Sequence, residues 1–241
     1  MAAARSGSQD LPTLELVPRE TMAERVYLQL REAIMTGRFA PGQTLTLRGV
    51  AEAVGSSTMP VRGALTRLQA EGALIDGPGR GLMVPPMTLE ILDELRDGRI
   101  ALEGCIAKRA ATRMTKADLS ALQRVFDRMD ARAKAGDVAG YLRGNFEFHQ
   151  AIYAHGCSEV MMGTVQNLWM RIGPFLNLVA PDLAHIAHSM EAHRQIFDAL
   201  KRGDGEAARA GIERDLGDAA DDIKARLLSR EAANAAQSET A

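Results

Sequence analysis

The residues best placed to do chemistry are two histidines and their neighbours. Asn145 and His149 stand four apart, so on a helix their side chains lie one turn apart on the same face. His193 and Asp215 fall on two later segments of helical periodicity. In a bundle, three helices can aim these four groups at one interior spot. Imidazole and carboxylate together suit a divalent cation such as zinc, nickel or manganese. The alternative is that His149 and His193 are buried histidines satisfied by polar neighbours. Spacing alone leaves both readings open.

A second kind of chemistry lies in residues 43–70, QTLTLRGVAEAVGSSTMPVRGALTRLQA. Leu47, Val50, Ala51 and Val54 recur at helical spacing, and Gly55 ends that helix where φ must be positive. Ser56 or Ser57 can cap a second helix, with Pro60 in its first turn. Val61, Ala64, Leu65 and Leu68 give this helix an apolar back. Its front carries Thr58, Arg62, Thr66, Arg67 and Gln69, groups that can read base edges and phosphates in a major groove. Leu74-Ile75-Asp76 and Leu82-Met83-Val84 flank the tip Gly77-Pro78-Gly79-Arg80-Gly81, which predicts a β-hairpin. Two short helices followed by a hairpin with a basic tip make a winged helix-turn-helix.

The rest of the chain must hold these groups in place. Residues 1–18 read as a disordered arm, and a first helix covers 21–36. Pro85-Pro86 is a stiff break, since neither residue offers an N–H and each disfavours helix just before it. The winged domain is therefore assigned to 19–86. Beyond it, caps and apolar stripes predict six helices: 88–112, 115–136, 137–154, 158–179 with a bend at Gly173-Pro174, 183–201 and 205–229. These form an antiparallel bundle over 87–230, followed by a disordered tail over 231–241. The fold class is mainly α.

Charge is nearly balanced. The 241 residues carry a formal −2, but residues 19–86 hold eight arginines against six acids, a net of +2, which leaves −4 elsewhere. Nucleic-acid binding would then rest on a few placed arginines and on dimerisation rather than on a strong basic field. Cys105 and Cys157 lack metal-ligand spacing and read as free thiols. No apolar run reaches the length of a membrane span or a secretory leader, so the expected location is the cytoplasm.

Residues 25–84 resemble the DNA-binding domain of the GntR family of bacterial transcription regulators. The match runs through Val26-Tyr27-Leu28-Gln29-Leu30-Arg31-Glu32-Ala33-Ile34, Gly37-Arg38-Phe39-Ala40-Pro41-Gly42, Pro60-Val61-Arg62 and Leu68-Gln69-Ala70-Glu71-Gly72. The resemblance implies DNA contacts at Arg48 and Arg62. With the polar front and the wing tip, the expected DNA-facing set is Arg48, Ser57, Thr58, Met59, Arg62, Arg67, Gly79 and Arg80. Thr58 stands where the family usually has Arg, and Gly63 where it usually has Glu. The first change removes a DNA contact; the second weakens the helix by about 1 kcal/mol relative to alanine.

The C-terminal half resembles the FCD ligand-binding domain of the FadR subgroup. The matching pieces are Arg99-Ile100-Ala101-Leu102-Glu103, Phe148-His149, His193-Arg194-Gln195-Ile196-Phe197-Asp198-Ala199-Leu200, Gly203-Asp204 and Ala207-Ala208-Arg209. The resemblance implies a metal held by an Asp or Asn and three His, positions filled here by Asn145, His149, His193 and Asp215. Two of the four depart from the commonest pattern, Asn145 for Asp and Asp215 for His. His155, His185 and His188 match no ligand position. The resemblance also implies an organic-acid effector received by Arg99, with Arg171 as a second positive group. The competing readings are an intrahelical pair of Arg99 with Glu103 and a surface position for Arg171. The function implied is a dimeric, metabolite-responsive repressor on a palindromic operator. A metal-responsive regulator and a metalloenzyme built on the bundle are the alternatives. Against the enzyme, no general base or nucleophile stands out beyond the ligand set.

Overall fold

The computed structural model describes residues 21–79 and 81–238. The expected arm over 1–18 lies outside them. Helix α1, Met22–Met35, starts at Thr21, whose hydroxyl accepts from the Glu24 amide at 3.1 Å. It buries Val26, Tyr27, Leu30, Ala33 and Ile34, and Gly37 ends it at φ +69°. Helices α2 (Leu47–Ala53) and α3 (Thr58–Ala70) follow, joined through Gly55 at φ +62°. Val61, Ala64, Leu65 and Leu68 of α3 are buried against α1, each large aliphatic contributing about 1.5–3 kcal/mol. Ser57 occupies the cap position of α3, but its side chain makes no capping bond.

The expected two-stranded hairpin has a third strand. β1 (Thr44–Leu45), β2 (Ile75–Asp76) and β3 (Leu82–Met83) form an antiparallel sheet in the order β1-β3-β2, with Met83 opposite both Thr44 and Ile75. β1 is only two residues long, too short to show the alternation by which a strand is read. It is visible only once β3 offers its backbone.

Six helices complete the described chain: α4 (Leu89–Ala111), α5 (Lys116–Lys134), α6 (Val138–Gly156), α7 (Glu159–Val179), α8 (Leu183–Arg202) and α9 (Gly205–Ser238). Thr88, Thr115, Asp137, Ser158 and Asp182 cap the first five through their side chains. At Thr115 a full reciprocal capping box forms with Asp118. Helix α7 continues through Pro174. Helix α9 runs past its expected end at 229, so residues 231–238, expected as a disordered tail, are helical. Alanine-rich AANAAQS adds little that resists helix.

Helix α1 rests on the middle of α7, and glycine makes this approach close. A Cβ on Gly173 would stand 2.6 Å from the carbonyl oxygens of both Ile34 and Met35. Arg143 of α6 adds an ion pair to Glu32 of α1 at 3.0 Å. No described helix is long and apolar enough to cross a membrane.

Candidate functional site

Helix α3 packs by its apolar stripe, so its polar front must face out. Arg62, Thr58 and Met59 are exposed, Met59 at 74%. Arg48 on α2 and Ser57 at the start of α3 are exposed beside them. Arg48 and Arg62 make no ion pair among the described residues. Gly79 takes φ +72° at the hairpin tip, with open space around it. Arg80 lies outside the described residues.

Arg67 departs from the expected set. Its Nη1 pairs with Glu24 at 2.8 Å, its Nε with Glu71 at 3.1 Å, and its guanidinium sits 3.6 Å from the centre of the Tyr27 ring. The Tyr27 hydroxyl donates to Glu71 at 2.8 Å. Arg67 therefore clamps α3 to α1 rather than standing free for DNA. Its i,i+4 acid at Glu71 was readable in the sequence; its partners on α1 were not.

Inside the bundle, α6, α8 and α9 bring Asn145, His149, His193 and Asp215 together, all buried. The His149 and His193 Nε2 atoms are 3.3 Å apart. Asn145 Oδ1 lies 2.8 Å from His193 Nε2, and Asp215 Oδ2 lies 3.2 Å from His149 Nε2. One ligand atom each from His149, His193 and Asp215 falls within 4.8 Å of the others, a grouping that could hold a metal ion.

The surrounding hydrogen bonds decide which nitrogens carry protons. His193 Nδ1 lies 2.7 Å from the Ser189 carbonyl oxygen, which only accepts, so Nδ1 holds the hydrogen and Nε2 presents a lone pair. The Tyr153 hydroxyl donates its one hydrogen to Glu103 and accepts from Trp169 Nε1 at 3.1 Å. Toward His149 Nδ1, at 3.2 Å, it can again only accept. His149 Nδ1 therefore also holds a hydrogen, and its Nε2 faces the Asp215 carboxylate. Burial holds the His193 imidazole below its usual value, against the opposing pull of Asp215. Burial alone would raise the Asp215 carboxyl; His193, the His149 hydrogen bond and the Arg99 charge outweigh it and hold that carboxyl below the usual carboxylate range.

Two imidazole nitrogens and a carboxylate thus converge with a positive charge missing between them. Either a second proton on His149 or a divalent cation fills that place. Turning the Asn145 amide would give His193 a donor, but it would leave His149 Nε2 opposite Asp215. The donor set fits a metal, and each imidazole is already oriented by a partner behind it, as metal-ligating histidines usually are. Ser189 Oγ donates to Asp215 Oδ1 at 3.3 Å and accepts from Tyr141 at 2.9 Å, which orients the carboxylate too.

Arg99 lines the same cavity, yet its charge is already met. Its Nε bonds Glu103 Oε1 at 2.7 Å and its Nη2 bonds Oε2 at 3.3 Å, with Arg99 4% and Glu103 0% exposed. Trp169 covers the guanidinium, its ring centre 4.8 Å away. The intrahelical pair is the arrangement found, and it takes the Nε–Nη2 edge of the guanidinium, so Glu103 already balances the charge that an incoming carboxylate would meet. Arg171 is exposed on the outer face of α7 and does not line the cavity. The cavity itself holds about 20 Å³, the room of one water.

Sequence reasoning passed over Tyr153, Trp169, Ser189 and Tyr141. Three of them had a signal. Tyr141 precedes Asn145 by four residues, Tyr153 follows His149 by four and Ser189 precedes His193 by four, so each shares a helix face with a candidate ligand.

The model of the bacterial regulatory proteins of the gntR family matches residues 22–84, and the FCD domain model matches residues 94–218. The HTH-type transcriptional regulator McbR of Escherichia coli strain K12 is 30% identical over 182 residues, covering 75% of this chain and 82% of McbR. The probable D-xylose utilization operon transcriptional repressor of Paenarthrobacter nicotinovorans is 27% identical over 200 residues, covering 83% and 88%. Among solved structures, E. coli McbR/YncC superposes with a TM-score of 0.79 at 26% identity, covering 87% of this chain and 99% of that one. A putative GntR regulator from Rhodococcus sp. RHA1 gives 0.70 at 25% identity, covering 84% and 97%.

Proposed function

The chain belongs to the gntR family of bacterial regulatory proteins and is a DNA-binding transcription regulator rather than an enzyme, and from that premise we propose that it is a cytoplasmic, metabolite-responsive repressor. It binds a palindromic operator as a homodimer, each α3 entering the major groove of one half-site. Arg62 and Arg48 supply the leading contacts, and Thr58, Met59, Ser57 and the wing tip fill in around them. The relative from P. nicotinovorans, a probable repressor, supports the sign of regulation.

The buried cluster is the sensing centre. His149, His193, Asp215 and Asn145 would hold a divalent cation such as zinc, nickel or manganese. The observation that carries this reading is the convergence of the His149 and His193 Nε2 atoms and the Asp215 carboxylate on one buried point. Once bound, such a cation supplies a positive centre able to receive a monoanionic carboxylate. Arg99, held by Glu103, keeps that centre preorganised instead of gripping the ligand itself.

Helix α7 links sensing to DNA. Trp169 and Leu176 line the cavity, while Gly173 carries α1. A ligand that moves α7 changes how the winged domains are held, and only a difference in affinity between the two arrangements can shift DNA binding.

The test joins elemental analysis of the purified protein to operator binding followed by fluorescence anisotropy, with and without chelator and a carboxylate panel. One metal per chain, proton release on loading and a carboxylate that weakens operator binding are expected. Operator binding that ignores both metal and every carboxylate would refute the sensing role. A Gly173→Ala variant should keep metal binding and lose the ligand response, since its Cβ forces α1 from α7.

A further inference from the structure

The four candidate ligands are buried, and a cation needs a way in. Apart from the cavity over the ligands, a surface pocket of about 310 Å³ opens along the seam between α8 and α9. It is lined by Val179, Asp182, His185, Asp222, Arg226 and Ser229 among others. His185 lines both this pocket and the inner cavity. Its side chain is 10% exposed and its Nδ1 pairs with Asp222 of α9. One helical turn on, His188 pairs with Asp218 at 2.8 Å, a second rung of the same seam, on its exposed side.

We propose that the outer pocket is the vestibule through which a divalent cation reaches the buried cluster, and that His185, latched to Asp222, is its gate. Three features make the vestibule suitable. Asp182 and Asp222 give it two carboxylates, and since Arg226 already offsets Asp182, the half-exposed Asp222 is the one left to draw a hydrated cation. Arg226, paired with Asp182 at 3.0 Å, ties the far side of the opening across the seam. Among the described residues, His185 is the one common to the linings of both spaces, so swinging its imidazole outward joins them. Only the latch must break: one hydrogen bond whose Asp222 partner is 48% exposed on its side chain, where water competes for the same carboxylate.

A gate has a kinetic signature that a ligand lacks. It lowers or raises the barrier between two unchanged end states, so entry and exit rates move together and the equilibrium does not. The inference rests on the metal reading, and the experiment separates the two. Protein loaded with cobalt or nickel is mixed with excess chelator, and metal loss is followed by stopped-flow absorbance; loading rates and equilibrium affinity are measured alongside. His185→Ala and Asp222→Asn should speed both loading and loss by about tenfold or more, equivalent to about 1.4 kcal/mol of barrier. Affinity should change by less than the rates. Asp218→Asn, which breaks the neighbouring rung only, should leave the rates as they are.

Unchanged rates in both gate variants would overturn the gate and leave the metal site standing. Weaker affinity with unchanged loading would overturn it differently, by making His185 a ligand. A wild-type protein that takes up no metal would remove the premise itself. Asp222→Asn keeps the shape of the latch and guards against a His185 variant that fails to fold.

Discussion

Arg62 and Arg99 are both single arginines on well-packed helices, yet their situations are opposite. Arg62 stands in solvent with no ionic partner among the described residues; Arg99 is 4% exposed and paired with Glu103. The difference follows from what each region must recognise. A DNA backbone brings its own anions, so the protein side can leave its cations unmatched in water at little cost. A buried centre has no solvent to compensate a lone charge, so each one is met internally before any ligand arrives. One region is complementary to a partner that is absent; the other is complementary to itself, save for the single charge missing between His149 and Asp215.

The comparison breaks most visibly at Glu103. Glu103→Ala would leave the Arg99 guanidinium buried and unpaired and would free the Tyr153 hydroxyl that orients His149. Loss of one partner of a buried pair costs about 3–5 kcal/mol. Chemical denaturation should show that loss, and metal affinity should fall with it. A variant as stable as the wild type would mean that water reaches Arg99 and that the interior is not closed.

On the DNA side the expected effect is smaller and of another kind. Arg62→Ala should weaken specific operator binding by about 1–3 kcal/mol if the guanidinium reads a base, with the melting temperature unchanged. Equal losses on operator and on unrelated DNA would recast Arg62 as a phosphate contact. Unchanged operator affinity would remove it from the interface.

These two positions also mark what the sequence could and could not reveal. Helix number and the winged unit are legible because helical periodicity, caps and spacing act over short stretches of chain, whereas the set Asn145, His149, His193 and Asp215 is picked out by the family resemblance. The register of α9 past residue 229 and the short strand β1 are less legible, the one because alanine-rich helix has no sharp stop and the other because a two-residue strand exists only by pairing. Charge partnership across helices is the least legible. Arg67 and Arg62 sit on the same front of α3, and nothing local says that Glu24 and Tyr27 of α1 reach only one of them. Arg99 and Arg171 were both candidates for one anion, and the packing of α7 sends Arg171 outward.

Arg67 sharpens the contrast, because it belongs to the DNA-facing helix but is used as the buried arginine is. Arg67→Ala removes a clamp that is 47% exposed on its side chain, so solvent screening discounts its ion pairs. About 1 kcal/mol of stability, shared between the Glu24 and Glu71 pairs and the stacking on Tyr27, is the expected loss. Operator affinity corrected for the folded fraction should hold. A drop in affinity with stability intact would show that DNA draws Arg67 away from its acids.

Arg171→Ala is the smallest expected effect and closes the comparison from the other side. An exposed arginine outside the cavity should change stability by no more than about 0.5 kcal/mol and leave metal uptake untouched. Its companion candidate Arg99 lies buried on α4 beside Glu103, so the pair of variants asks whether burial or charge type decides the role. If Arg171→Ala blunted the carboxylate response, the ligand would have to reach the outer face of α7, and the sensing centre would extend beyond the cavity built around His149 and His193.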